Sequence, residues 1–151
     1  QGIRDFGVKI KLNPARNAVE GKRIVLVDDS IVRGTTARKI TTMLRRAGAR
    51  EVHFRVASPR IINSCYYGID TPNKTKLIAH NMSVEEIRDF LGVDSLAYLE
   101  LDALLGATGC DPASFCAACF TGAYPTAVPD DFVSRNHNTR HVDHSNDAMN
   151  P

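Results

Sequence analysis

The chain has 151 residues, of which 43% are hydrophobic and 24% are charged, and its formal net charge is +2 with histidine neutral. This composition is close to the globular average and supplies enough apolar material for a core, which excludes a wholly disordered chain. The small net charge, with no basic cluster beyond Arg45–Arg46, argues against a nucleic-acid or membrane-surface partner. No stretch approaches the roughly 20 apolar residues that would span a bilayer.

The chain begins at Gln1, without an initiator methionine and without a charged leader followed by an apolar run. We therefore expect it to continue a longer protein whose location is cytoplasmic.

The first elements predict a βαβ unit. Residues 24–27 form a short β-branched apolar run, which is typical of a strand buried on both faces in a parallel sheet. Residues 35–47 follow with apolar side chains at helical spacing, and Gly48 is placed to end that helix. Residues 52–57 predict a second strand, so the fold class is α/β with a parallel sheet flanked by helices.

The later elements are shorter. Residues 58–70 are predicted to be irregular, and residues 77–79 to form a short strand. Ser83 and Glu86 have capping-box spacing and predict a helix that ends at Gly92. A strand at residues 95–99 and a helix at residues 100–105 complete the domain. Composition divides the chain into a domain at 1–105, a cysteine-bearing segment at 106–129 and a polar tail at 130–151, which we expect to be disordered.

The loop after the first strand carries the functional argument. Asp28 and Asp29 end the strand, and Gly34, Thr35 and Thr36 precede the helix. A helix N-terminus and hydroxyl donors favour a phosphate, and glycine lets the backbone approach it closely. The carboxylates would repel phosphate, but they suit sugar hydroxyls or a Mg²⁺ ion. The loop therefore predicts a site for a phosphorylated sugar.

Other interpretations of this loop are weaker. Neither the P-loop pattern nor the dinucleotide-binding glycine pattern is present. The structural alternative is that Asp29 or Ser30 merely caps the helix. That alternative does not account for the whole string that follows the apolar strand.

The string from residue 25 to residue 36 resembles the diphosphate-sugar signature of type I phosphoribosyltransferases. The resemblance implies that Asp28 and Asp29 hold the ribose hydroxyls and help to place Mg²⁺. It implies that the 5′-phosphate is bound by the residues that follow, namely Ser30, Ile31, Val32, Arg33, Gly34, Thr35 and Thr36.

Three further segments resemble the glutamine phosphoribosylpyrophosphate amidotransferases of the iron–sulfur branch. Residues 1–4 and 7–16 resemble that family's flexible loop and its exit, with Lys11 at the position of a substrate-binding lysine. Without the resemblance, Lys9, Lys11 and Arg16 would be interpreted as a solvated basic segment. Residues 58–59 with 65–70, and residues 116–125, resemble two later family segments. The resemblance covers about residues 1–128 and implies that the chain is the C-terminal part of such a protein, with a phosphoribosyltransferase domain truncated at its N-terminus. It also implies that the family's glutaminase domain and the early strands of the transferase domain lie outside this sequence, so we expect the chain to be inactive alone and poorly able to fold alone.

In that branch, four cysteine thiolates hold a four-iron cluster. Cys65, Cys116 and Cys119 match three of these ligands, and the fourth is expected upstream of this chain. Cys110 matches none of them, and we expect it to be an ordinary free thiol. Spacing alone leaves buried thiols open for Cys116 and Cys119, and zinc is the competing metal.

The resemblance implies a reaction in which glutamine-derived ammonia is transferred to phosphoribosyl diphosphate. The products are 5-phosphoribosylamine, glutamate and pyrophosphate, and the reaction is the first committed step of purine synthesis. The resemblance also implies a homotetramer and inhibition by purine nucleotides, and glutamine would bind to a domain absent from this sequence. No residue of the chain is assigned as catalytic. Two alternatives stay open, a base phosphoribosyltransferase and a non-catalytic regulator that senses phosphoribosyl diphosphate.

Overall fold

The computed structural model describes residues 14–128. Helix α1 (Arg16–Val19) precedes strand β1 (Arg23–Asp28), helix α2 (Thr35–Arg46) and strand β2 (Glu51–Val56). A 3₁₀ turn (Lys74–Lys76), helices α3 (Ile78–Asn81) and α4 (Val84–Leu91), strand β3 (Ser95–Tyr98) and helix α5 (Leu101–Gly106) follow. A 3₁₀ turn (Pro112–Ser114) and helix α6 (Ala118–Thr121) lie in the cysteine-bearing segment.

The sheet has three strands in the order β1-β2-β3, and both pairings are parallel. Leu26 is in register with Phe54, which is in register with Leu96. These side chains and their neighbours two residues away point to the face on which α2 and α4 pack. Parallel strands bring their carboxyl ends to one edge, so the loop that follows β1 lies at that edge.

The core is built from the inner sheet face and the two helices. Its largest fully buried side chains include Phe54, Leu77, Ile87 and Leu91. Thr41 is also buried in α2, where its hydroxyl donates to the carbonyl of Ala37 at 2.9 Å and so is satisfied within the helix.

The predicted α/β class, the βαβ unit and the position of β3 are confirmed. The helix predicted from Ser83 is also confirmed. The Ser83 hydroxyl accepts from the Glu86 amide at 3.2 Å, the Ser83 amide donates to the Glu86 carboxylate at 2.7 Å, and Gly92 ends the helix in the left-handed region.

Two predictions are wrong. Residues 77–79 form no strand: the run begins helix α3, and the Ile78 amide donates to the Val32 carbonyl at 2.9 Å rather than to a neighbouring strand. A short buried apolar run does not distinguish strand from helix. Strand β1 is not buried on both faces either. Val25 and Val27 are 63% and 66% exposed, because the described helices cover only the opposite face.

Within residues 14–128, no helix has the length and apolar character that crossing a membrane requires. The predictions for residues 1–13 and for residues 130–151 lie outside the described part of the chain.

Candidate functional site

The loop between β1 and α2 forms a pocket at the carboxyl edge of the sheet. This loop pocket has a volume of about 500 Å³ and is lined by residues 28–37, Asp70 and Pro72. All nine residues predicted from Asp28 to Thr36 therefore lie around one cavity. Lys11, the remaining predicted substrate-binding residue, lies outside the described residues.

Local hydrogen bonds orient the two carboxylates. Oδ1 of Asp28 accepts from the Asp29 amide at 3.0 Å, and Oδ1 of Asp29 accepts from the Ser30 hydroxyl at 2.9 Å. Asp28 ends β1 and is half-buried, whereas Asp29 is exposed. The pair thus presents hard oxygen ligands to the cavity, the donor type that Mg²⁺ prefers and that sugar hydroxyls donate to.

Gly34 sets the start of helix α2. It is the N-cap residue with φ of 71°, and no side chain caps the helix. The capping role considered for Asp29 or Ser30 is therefore excluded. No side chain caps the amides at the start of α2, and Thr35 and Thr36 of this first turn line the cavity. A free helix N-terminus of this kind favours an anion.

The loop is held from behind by two helices. A Cβ atom built on Gly34 would lie 2.7 Å from Cδ1 of Ile78 and 3.1 Å from Cε1 of Phe90. The Arg38 guanidinium lies 4.6 Å from the centroid of the Phe90 ring, on the outer side of α2. With the Ile78 amide bonded to Val32, these contacts fix the loop before any ligand binds.

A second cavity, the cysteine pocket, has a volume of about 340 Å³. Cys65, Cys116 and Cys119 all line it. Its remaining walls are mostly apolar or aromatic and consist of Ser30, Ser58, Ile61, Tyr67, Ile69, Thr71, Ala118, Phe120 and Tyr124. Cys110 is exposed and lies outside this lining.

The thiol environment is partly desolvated. Burial raises the pKa of Cys119, and the neighbouring Cys65 and Cys116 raise it further. Burial also raises the pKa of Tyr124 to about 12. All four cysteines are free thiols, and Sγ of Cys65 accepts from the Tyr67 amide at 3.4 Å. Among residues 14–128, no three His, Cys, Asp or Glu side chains converge closely enough to hold a metal ion as placed.

Hydrogen bonds and ring packing hold the cysteine-bearing segment against residues 62–66. The Cys119 carbonyl accepts from the amides of Ile62 and Asn63, each at 3.0 Å. The Tyr124 hydroxyl donates to the Ser64 carbonyl at 2.7 Å, and its ring packs on Tyr66 with centroids 5.2 Å apart. These contacts hold Cys116 and Cys119 beside the pocket that Cys65 also lines.

Sequence reasoning missed Asp70 and Pro72 as walls of the loop pocket, and Ile78 and Phe90 as its support. Residues 65–70 were singled out only through Cys65 and the family resemblance. Asp70 is more than thirty residues from the loop in sequence, and no local pattern predicts that both line one cavity.

Comparison with known proteins finds relatives that share one name. The chain is 61% identical over 135 residues to "Amidophosphoribosyltransferase 2, chloroplastic" of Arabidopsis thaliana, and 53% identical over 130 residues to "Amidophosphoribosyltransferase" of Synechocystis sp.. These alignments cover 89% and 86% of the chain but 24% and 26% of the relatives. The chain thus spans about a quarter of the length of the curated relatives it matches. No protein-family model matches it.

A solved structure supports the same kinship. Glutamine phosphoribosylpyrophosphate amidotransferase from B. subtilis, complexed with ADP and GMP, superposes with a TM-score of 0.77 at 52% identity. The match covers 87% of this chain and 30% of that one.

Proposed function

We propose that this chain is part of an amidophosphoribosyltransferase and that the protein carrying it transfers glutamine-derived ammonia to phosphoribosyl diphosphate. The products are 5-phosphoribosylamine, glutamate and pyrophosphate, which is the entry into purine synthesis. The observation that carries the proposal is the loop pocket, in which two oriented carboxylates and an uncapped helix start line one cavity.

Different residues of the loop bind different groups of the substrate. The amides and hydroxyls of Thr35 and Thr36 donate to the 5′-phosphate, and the Arg33 guanidinium adds positive charge beside it. Oxygens of Asp28 and Asp29 accept from the ribose hydroxyls. This division fixes the sugar at both ends and leaves its anomeric carbon in the cavity.

Chemistry at the anomeric carbon needs little acid or base help. Ammonia forms the new C–N bond as the bond from the anomeric carbon to pyrophosphate breaks, and the excess proton passes to solvent. The protein contributes by holding the reacting atoms in line and excluding water from a carbon with oxocarbenium character. Asp28 and Asp29 are the residues that would hold Mg²⁺, which supplies charge neutralisation on the departing pyrophosphate when bound.

We also propose that Cys65, Cys116 and Cys119 supply three thiolates to a four-iron cluster. The fit rests on their common pocket, on its apolar walls and on the amide that already donates to the Cys65 sulfur. Among the described residues the three sulfur atoms do not yet form a metal-holding group, so binding would require them to move closer together. Such a cluster would strengthen the docking of the cysteine-bearing segment and would take no part in ammonia transfer.

The remaining partners follow from the same kinship. The B. subtilis relative is complexed with ADP and GMP, and we propose purine nucleotides as inhibitors of this protein. Glutamine binding and assembly into a homotetramer are proposed for the whole protein rather than for the residues described. A cytoplasmic location stays a prediction, since several relatives are named chloroplastic.

The decisive test is pyrophosphate release from phosphoribosyl diphosphate by protein expressed from the complete open reading frame, under anaerobic conditions with Mg²⁺. We expect release that depends on glutamine or ammonia. Release that depends on a nucleobase instead would make the protein a base phosphoribosyltransferase, and tight binding without release would make it a regulator.

Asp28→Asn and Asp29→Asn test the loop assignment in the same assay. Loss of a charged acceptor from the ribose hydroxyls should lower kcat/KM by about 10- to 100-fold, the range expected when a hydrogen bond to a charged group is lost. Asp102→Asn, an exposed carboxylate on α5, is the matched control and should behave as wild type. Kinetics unchanged in both loop variants would contradict the assignment.

A further inference from the structure

The Arg60 side chain connects the segment after β2 to the C-terminal end of helix α3. Its Nη2 donates to the Ala79 carbonyl at 2.8 Å and to the Met82 carbonyl at 2.9 Å. Ala79 lies within α3, and Met82 is the residue that ends it. Carbonyls at a helix C-terminus have no partner within the helix, and a cation is favourable there because of the helix dipole. Arg60 therefore caps α3 from outside the helix.

Helix α3 depends on contacts of this kind because it is very short. A single turn of four residues, Ile78–Asn81, is not stable by its own hydrogen bonds. The Asn81 side chain donates to the Thr75 and Leu77 carbonyls at 2.9 Å and 2.8 Å, which ties the helix to the preceding 3₁₀ turn. Arg60 ties it to the segment after β2. The position of α3 is thus set by side chains rather than by the helix itself.

The Arg60 guanidinium is partly withdrawn from water. Its Nε is buried and has no hydrogen-bond partner among residues 14–128. The guanidinium also acts on Tyr98 at the end of β3, where burial raises the pKa of the phenol to about 12 and the charge of Arg60 opposes that rise. Burying part of a cation is unfavourable unless its hydrogen bonds are made. The two carbonyls of α3 are therefore the main compensation for placing Arg60 here.

Helix α3 is also the support behind the loop pocket. The Ile78 amide donates to the Val32 carbonyl at 2.9 Å, and the Ile78 side chain lies against Gly34. Val32 and Gly34 both line the cavity, whereas Arg60 is not part of its lining. Direct contacts therefore run from Arg60 through α3 to the loop.

We propose that Arg60 is a positioning residue for the loop pocket, which caps α3, holds Ile78 against the loop and so keeps the loop in the shape that binds phosphoribosyl diphosphate. The identity of this ligand rests on the proposed function. Arg60 acts only through α3 and touches no reacting atom. Its loss should therefore weaken substrate binding and leave the chemical step of the bound substrate nearly unchanged.

Arg60→Met keeps the length of the side chain and removes both hydrogen bonds. The test uses protein from the complete open reading frame with Mg²⁺, and calorimetry gives the Kd for phosphoribosyl diphosphate. We expect Kd to rise about 10-fold, and KM to rise similarly while kcat changes by less than about 2-fold. Arg60→Lys keeps a charged nitrogen that can donate to the same carbonyls, so it should restore Kd to within about 3-fold of wild type.

Hydrogen exchange without ligand tests the positioning independently of the proposed function. Residues 30–40 contain the loop and the first turns of α2. Their amides should exchange about 10-fold faster in Arg60→Met, because the loop loses the support of α3 and opens more often. Arg60→Lys should recover most of the protection.

Two control variants separate positioning from general effects. Asp94→Asn loses the acceptor of the Val52 amide at the opposite edge of the sheet, so it lowers stability without touching α3. Arg46→Met removes an exposed arginine from the last turn of α2, which matches the change in charge. Both controls should leave the Kd and the exchange of residues 30–40 unchanged.

The outcomes distinguish the two ideas. If wild type binds the ligand and Arg60→Met binds and exchanges like wild type, the positioning role is overturned while the proposed function stands. It is also overturned if Asp94→Asn weakens binding as much as Arg60→Met does, since the effect is then general destabilisation. If wild type does not bind phosphoribosyl diphosphate but Arg60→Met opens the loop, the proposed function fails and the positioning of the loop stands. Should Arg60→Met not fold, Arg60→Gln, which keeps an uncharged donor, replaces it with the same expected directions.

Discussion

Replacing Gly34 by alanine should damage the loop in a way that a second substitution can partly repair. Gly34 has φ of 71°, and an added Cβ would lie 2.7 Å from Cδ1 of Ile78 and 3.1 Å from the ring of Phe90. Ile78 is buried and bonded through its amide to Val32, so the helix that carries it has little freedom to withdraw. The variant therefore combines backbone strain with a steric conflict.

The two costs can be estimated separately. An alanine in the left-handed region costs about 1–2 kcal/mol, and overpacking of a closed contact costs about 1–3 kcal/mol. We therefore expect Gly34→Ala to reduce the free energy of local opening at the loop and the start of α2 by about 2–5 kcal/mol. Ile78→Val removes Cδ1 and alone should cost about 0.5–1.5 kcal/mol.

Native-state hydrogen exchange of the peptide containing residues 30–46, read by mass spectrometry, is the suitable assay because it reports on this region alone. In the Ile78→Val background, Gly34→Ala should cost about 1–2 kcal/mol less than in wild type, since the closest clash is gone and only the strain and the Phe90 contact are left. The Kd for phosphoribosyl diphosphate should follow the same order across the four proteins.

Strict additivity of the two substitutions would refute the argument, because it would mean that Cδ1 of Ile78 does not limit the space at Gly34. A neutral Gly34→Ala would refute it more broadly, since both the positive φ and the close approach would then be irrelevant to the loop.

Two further predictions concern elements that position the site. Ser83→Ala should destabilise helix α4 by about 1 kcal/mol, because the Glu86 amide loses its side-chain acceptor. Hydrogen exchange should then be faster at the start of α4, and unchanged exchange would contradict the role of Ser83 as a cap. The pKa of Asp94 is lowered first by the Val52 amide and then by Arg45, so its stabilisation is present above its usual value of 3.8 and is lost as pH falls through the lower folded value. Asp94→Asn should therefore lower the free energy of unfolding by about 1 kcal/mol at pH 7, a value limited by solvent screening. Urea titrations should show that this loss becomes progressively smaller below about pH 4. A loss that does not depend on pH would exclude this linkage.

Most of the fold was predictable from short sequence patterns. The βαβ unit followed from apolar runs and a C-terminal glycine, and helix α4 followed from Ser83 and Glu86, because these patterns act over a few residues. The loop was found for the same reason, since its whole string is contiguous. Its predicted binding roles stay predictions, and so do the domain boundaries.

The errors arose where distant contacts decide the outcome. Residues 77–79 became a helix because the Ile78 amide meets a loop carbonyl more than forty residues earlier in the chain. The exposure of Val25 depends on which helices cover which sheet face, and periodicity within one strand carries no information about that. The place of Asp70 in the loop pocket depends on the path of an irregular segment.

The uncovered face of β1 has a practical consequence for anyone who expresses this chain by itself. Val25 and Val27 form an exposed apolar strip on a strand at the edge of the described sheet, where backbone groups are also open to pairing. Such a strip is a nucleation point for aggregation and a target for chaperones. Threonine at both positions would keep the β-branched shape and reduce the exposed apolar surface of the strand. The solubility of the chain could therefore be improved on the sheet face opposite the core.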